Sequence, residues 1–156
     1  MQIRPANSLD AQGMSNALDE IFAAGLRKSA GDPEWVLAHY IDHKNRIECS
    51  VAQEEDGRIL GFQSLRYATA DNPYGTPEGW GIIGTHVSPL AARRGVGSAL
   101  FRASVRAAEA FPVQNIEAAI GADNAVALAY YEAMGFRTYR SSDGLVCKVY
   151  RIEAGA

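Results

Sequence analysis

A chain of 156 residues with 47% hydrophobic content suits one domain, spanning 1–156, with an apolar core of its own. A formal charge of −3 argues against nucleic acid or an anionic membrane as the main partner, so an anionic ligand would be held by local donors. Met1-Gln2-Ile3-Arg4-Pro5 carries no apolar leader and no stretch approaches a membrane span, which predicts a soluble, cytoplasmic domain.

Ile3 to Ala6 predicts a short strand ending near Pro5. Ser8 is placed to cap a helix with Asp10 in its first turn and Met14, Leu18, Ile21 and Phe22 as its apolar stripe. Asp32-Pro33 joins an N-cap to a proline at the first helical position and opens a helix to about His43, burying Leu37, Tyr40 and Ile41. Strands over 47–54 and 59–67 flank a turn at Asp56-Gly57. Residues 68–79, rich in Pro, Gly, Asn and Asp, predict an ordered but irregular loop. A strand over 80–87 follows and Pro89 stops it.

Gly97 to Phe111 reads as a helix with Leu100, Phe101, Val105 and Ala108 inward. A strand over 115–120 alternates Ile116, Ala118 and Ile120 with polar or small partners. A helix from about Asp123 to Met134 ends at Gly135-Phe136, a glycine stop with its hydrophobic contact. Strands over 136–140 and 145–152 flank Asp143-Gly144. The order β-α-α-β-β-β-α-β-α-β-β predicts a mixed α/β fold, not a doubly wound nucleotide fold. Cys49 and Cys147 match neither a zinc spacing nor a redox pair and read as small buried residues in strands.

Ala92-Arg93-Arg94-Gly95-Val96-Gly97-Ser98 carries the most chemistry. A helix start stripped of side chains exposes main-chain N–H donors, to which the helix dipole adds about half a positive charge. That is a receptor for a phosphate or diphosphate, with Arg93 and Arg94 as charge-assisted donors; a tight turn with a solvated arginine pair is the alternative. His39 and His43 sit four apart, but Tyr40 stands where a metalloprotease needs Glu and no third ligand is evident. They read as a solvated face, and no metal is expected. Gly97-Ser98 lacks the glycine pattern of a hydrolase nucleophile elbow.

The element order, Thr85-His86-Val87-Ser88-Pro89, the Arg-Arg-Gly-Val-Gly turn and Asn124…Tyr131-Glu132-Ala133-Met134-Gly135-Phe136 together resemble the GNAT N-acetyltransferase superfamily over nearly the whole chain. Ile3-Arg4-Pro5-Ala6 and the stretch from Ile47 to Leu65 look closest to its phosphinothricin acetyltransferase-like branch. The resemblance implies the acyl-CoA N-acyltransferase fold, a mostly antiparallel sheet with flanking helices. It also implies acetyl-CoA as co-substrate, a small-molecule amine (an amino acid or analogue) as acceptor, direct transfer through a tetrahedral intermediate, and a homodimer. The diphosphate would sit on Arg93, Arg94, Gly95, Val96, Gly97 and Ser98. Ala92 departs from the family, which usually has Gln or Arg there; Arg93 is the substitute at hand.

Gly79, Gly81 and Gly84 are unusual for a strand, and such glycines mark a bulge or a close approach. The pantetheine arm would pair there along His86 and Val87, whose amide is placed to stabilise the oxyanion, an effect worth about 3 kcal/mol; the alternative is glycines that let Trp80 pack. Asn124 and Tyr131, seven apart, share a helix face about 10 Å apart. Asn124 either holds a pantetheine amide or caps the helix. Tyr131 is the implied proton donor to the thiolate, a packed core tyrosine being the other reading and Tyr130 the other ring. No carboxylate lies in 80–87, so the base is His86, Glu20 or water. That gap also leaves open a non-catalytic acyl-CoA-binding sensor or subunit.

Overall fold

The computed structural model describes residues 1–152. The predicted order of elements is observed: β1 (Gln2–Pro5), α1 (Ala11–Ala23), α2 (Pro33–Val36), β2 (Arg46–Gln53), β3 (Ile59–Tyr67), β4 (Gly81–Val87), α3 (Val96–Ala110), β5 (Asn115–Gly121), α4 (Ala125–Met134), β6 (Arg137–Ser142) and β7 (Leu145–Arg151). Seven strands form one sheet in the order β1-β2-β3-β4-β5-β7-β6, antiparallel except where β4 meets β5. Among the described residues no helix is long and apolar enough to cross a membrane.

Two expected helices differ in instructive ways, the first at its start and the second at its end. The cap before α1 is Asn7 rather than Ser8: Leu9 N donates to Asn7 Oδ1 at 2.9 Å, and Asn7 N donates to Asp10 Oδ2 at 2.8 Å. That reciprocal box closes a short 3₁₀ turn over Ser8–Asp10, so α1 begins at Ala11. Asp32 caps α2 as expected, with Trp35 N donating at 2.8 Å. The helix then widens into a π turn over Leu37–Ile41 and stops two residues short of His43.

The sheet has a helical layer on each face. Met14, Leu18, Ile21, Val36 and Tyr40 pack on one face against Val51 and Phe62. Phe101, Ala108, Tyr131 and Phe136 pack on the other against Leu65, Ile83, Ile116, Ala118 and Ile120. A register shift opposite Ala52 and Gln53 bulges β3 at Leu60, sending that side chain to Val96 and Leu100 while Ile59 stays with the first cluster. Cys49 and Cys147 are both buried, as expected. Gly135 at φ 107° ends α4, and Phe136 N donates to Tyr131 O at 3.0 Å.

What positions the site is a splay in the middle of the sheet. β4 and β5 run parallel but pair only at Gly81–Ile116 and Ile82–Glu117. Beyond Ile82 they separate. Ser88 N still donates to Leu60 O of β3 at 2.9 Å, so by strand alternation the N–H and C=O of Val87 and Thr85 face the opening.

Candidate active site

A cleft of about 640 Å³ occupies the mouth of this splay. Its lining includes Thr85, His86, Val87, Arg93, Gly95, Val96, Gly97, Ser98, Asn124 and Tyr130. Eight of the ten residues expected at a cofactor site therefore line one hollow; Arg94 and Tyr131 do not. A second hollow of about 610 Å³ beside β6 and β7 is lined by none of them.

The two glycines of the turn have different jobs. Gly95 is the residue before α3, at φ 74° with no side-chain cap and nothing within 4 Å of a built Cβ. It supplies a left-handed main chain and leaves the first amides of α3 free of any side chain. Arg93 also has φ 65°, an uncommon conformation outside glycine. Gly97 is small for an inward reason: its Cβ would lie 2.6 Å from Cε1 of Tyr130. The Tyr130 hydroxyl donates to Gly97 O at 2.8 Å, so α4 holds the first turn of α3 from behind.

The expectation that both arginines donate to a diphosphate needs correction. The Arg94 guanidinium pairs with Glu54 at 2.5 Å, drawn to the β2–β3 hairpin tip and out of the cleft. Glu54 at that tip is thereby paired. Arg93 remains the arginine of this turn that lines the cleft. Asn124 caps its own helix, accepting from Ala127 N at 3.1 Å, while also lining the cleft.

Tyr131 is buried, yet its hydroxyl lies 2.8 Å from Oγ1 of Thr85, a cleft residue. Burial pushes its phenol up, so it stays protonated throughout the physiological range. Burial likewise pushes Tyr130 up to about 12. The Tyr130 hydroxyl accepts from Gln63 Nε2 at 3.0 Å and spends its proton on Gly97 O. Among the described residues Tyr131 bonds to Thr85 alone.

His86 is half-buried between Tyr40 and Phe62, with Nε2 3.2 Å from the Tyr40 hydroxyl. Burial, helped by Arg27 and His39 nearby, pushes the imidazole down to about 3. It is neutral at pH 7 and a weak base. Glu20 reaches the cleft's edge, its Oε2 accepting from Ser88 Oγ at 3.2 Å. His39 is not on a solvated face: it stacks on Trp35 at 4.4 Å, and burial lowers both it and His43.

One buried polar cluster left little trace in the local pattern. Glu117 is fully buried on β5, accepting from Thr76 Oγ1 at 2.8 Å, from Arg140 Nη2 at 2.9 Å and from the Tyr139 hydroxyl. Arg140 also donates to Tyr74 O at 2.8 Å, so the cluster clamps the irregular β3–β4 loop over the sheet. Only the odd polar position in a buried strand could have hinted at it.

The residues present fit acetyl-CoA: free helix-start amides, one arginine and an unpaired strand edge converge on one cleft. Known proteins agree with that reading. The acetyltransferase (GNAT) family model matches residues 15–136, and the chain belongs to this family of acyltransferases. Among solved structures, a provisionally named phosphinothricin N-acetyltransferase is 18% identical, with TM-score 0.77, covering 98% of this chain and 99% of that one. A GCN5-related N-acetyltransferase from Kribbella flavida is 23% identical, with TM-score 0.76 and 96% of each chain covered. YncA from Salmonella typhimurium, a provisionally named acetyltransferase solved with its cofactor acetyl-CoA, is 19% identical, with TM-score 0.74 and coverage of 99% and 95%. No curated protein sequence matches.

Proposed function

We propose that the protein uses acetyl-CoA to acetylate the primary amine of a small molecule, an amino acid or analogue, by direct transfer through a tetrahedral intermediate. The observation that carries this reading is the splay, whose free β4 edge runs into the bare start of α3 within one cleft. Arg93 and the amides of Val96 to Ser98 hold the diphosphate, while the main-chain groups of Thr85 and Val87 and the side chain of Asn124 offer hydrogen bonds to the arm. Acetyl-CoA supplies the activated acyl group. The Val87 N–H is aimed at the developing oxyanion, worth about 3 kcal/mol of transition-state stabilisation. Tyr131 gives its proton to the departing sulfur.

The amine's proton leaves through water. His86 is too weak a base to hold it and serves instead, with Tyr40, as a water anchor. Glu20 lies at Ser88, past the Val87 amide and toward the diphosphate end. Arg66 supports a carboxylate on the acceptor: it is half-buried, and its guanidinium forms no ion pair or hydrogen bond with any described residue. It shares a face of β3 with Phe62, beneath Tyr40. A homodimer in a cytoplasmic setting belongs to the same reading, and sedimentation of the purified chain tests the dimer.

Calorimetry with CoA, ATP and NAD, followed by an amine panel read by thiol release, tests the function. CoA binding and turnover with amino acids are expected. Absence of CoA binding would overturn the assignment. Binding without turnover of any amine would leave a sensor instead of an enzyme. Tyr131→Phe should lower turnover at least about 100-fold while CoA affinity stays near normal.

A further inference from the structure

A phenol has one proton, and a donor role for Tyr131 requires that proton to point into the splay rather than back into the protein. The polar chain behind it decides the direction. Gln63 on β3 is fully buried, an expensive place for a primary amide unless every group is bonded. Its Oε1 accepts from Ser104 Oγ of α3 at 2.6 Å. Its Nε2 gives one proton to Thr85 Oγ1 at 2.9 Å and the other to the Tyr130 hydroxyl at 3.0 Å. Turned over, the amide would present two N–H groups to Ser104, one of them without an acceptor. Its orientation is therefore set.

Thr85 then holds a lone pair committed to Gln63 and a proton to place. The Tyr131 oxygen lies 2.8 Å from that hydroxyl; Tyr130, also close to Thr85, already accepts from Gln63 and donates to Gly97 O. We propose that Gln63 and Thr85 are positioning residues, a buried relay that makes Thr85 the donor to the Tyr131 oxygen and so directs the phenolic proton into the splay. The relay rests on the proton-donor reading of Tyr131 given above. It also explains the division of labour between adjacent tyrosines, since Gln63 and Gly97 saturate Tyr130 and leave it nothing to give.

The step balances simply. The C–S bond breaks with its electron pair going to sulfur, which takes the Tyr131 proton as the O–H bond breaks. The Thr85 hydroxyl stabilises the phenolate through the bond it already donates. Water entering after product release returns the proton to the phenolate.

The test is a set of variants assayed by CoA release with the best amino acid from the panel, alongside CoA calorimetry and thermal melting. Thr85→Val, nearly equal in volume but without a hydroxyl, should lower kcat about 30-fold, part of the roughly 10² to 10⁴ that a positioned acid supplies. KM for acetyl-CoA should stay within about 2-fold, because the relay acts on the proton and not on binding. Thr85→Ser, which keeps the donor, should recover most of kcat. Thr85→Val combined with Tyr131→Phe should be no slower than Tyr131→Phe alone. Thr85→Val at wild-type kcat, or losses that multiply in the double variant, would overturn the relay. If Tyr131→Phe itself keeps full activity, the proton-donor reading fails rather than the relay. Gln63→Glu, an acceptor that would turn the Thr85 proton around, should lose kcat as Thr85→Val does; retained kcat in a folded Gln63→Glu protein would also overturn it.

Discussion

Gly97→Ala puts a methyl group where the structure has a tyrosine ring. The built Cβ lies 2.6 Å from Cε1, 3.2 Å from Cζ and 3.3 Å from Cδ1 of Tyr130, so the ring must move rather than flex at its tip. Alanine in a helix is otherwise favoured over glycine by about 1 kcal/mol. Overpacking costs about 1–3 kcal/mol, and moving the ring endangers the Tyr130 bonds to Gly97 O and Gln63, each worth about 1 kcal/mol net. The balance is a loss of about 2 kcal/mol, or a fall of about 4–8 °C in melting temperature for a chain of this size. CoA affinity should fall too, because the amides proposed to hold the diphosphate sit on the displaced turn. In a Tyr130→Leu background the obstructing ring is gone and Gly97→Ala should become neutral or stabilising. Urea unfolding of the four proteins gives the coupling directly. An equal cost in both backgrounds would refute the ring-contact explanation, and no cost in the wild type would refute the argument altogether.

Three other outcomes are expected. Arg93→Ala should weaken CoA binding in calorimetry, whereas Arg94→Ala should leave it unchanged, since that side chain is held at Glu54. Glu117→Ala strands Arg140 and frees the β3–β4 loop; Arg140 is 30% exposed and can find water, so the loss should lie at the low end for a broken buried pair, about 3 kcal/mol by urea unfolding. For His86 the folded pKa, about 3, lies below its ordinary value of 6.5, so the unfolded chain takes the proton first. Stability should fall as pH drops from about 6.5 toward 3, by up to about 1.4 kcal/mol per unit, and His86→Gln should remove that share of the slope. Identical acid slopes in the two proteins would contradict the neutral histidine.

Local signals located the elements well because their causes are local. Asp32-Pro33 and Gly135-Phe136 mark helix ends through main-chain geometry that a few neighbouring residues set. Ile116, Ala118 and Ile120 mark a buried strand face through a period of two. The glycine turn was legible for the same reason. Its two glycines were not separable, because Gly97 answers to a ring on another helix, 33 residues away. Arg94 looked equal to Arg93 until the hairpin brought Glu54 alongside. Glu117 read as one side of an alternating strand, yet a loop and two residues of β6 bury its charge.

From residue order alone came the mixed α/β architecture, the bare helix start and the tyrosine placed seven residues after Asn124. Chain folding alone decided where β4 leaves β5, which of two arginines faces the cleft, which of two tyrosines bonds Gly97 O and which Thr85, and how basic His86 can be. The division has a physical reason. Helix caps, turns and periodicity act over a few bonds, whereas strand separation, desolvation and hydrogen-bond saturation depend on groups that meet only when distant segments pack.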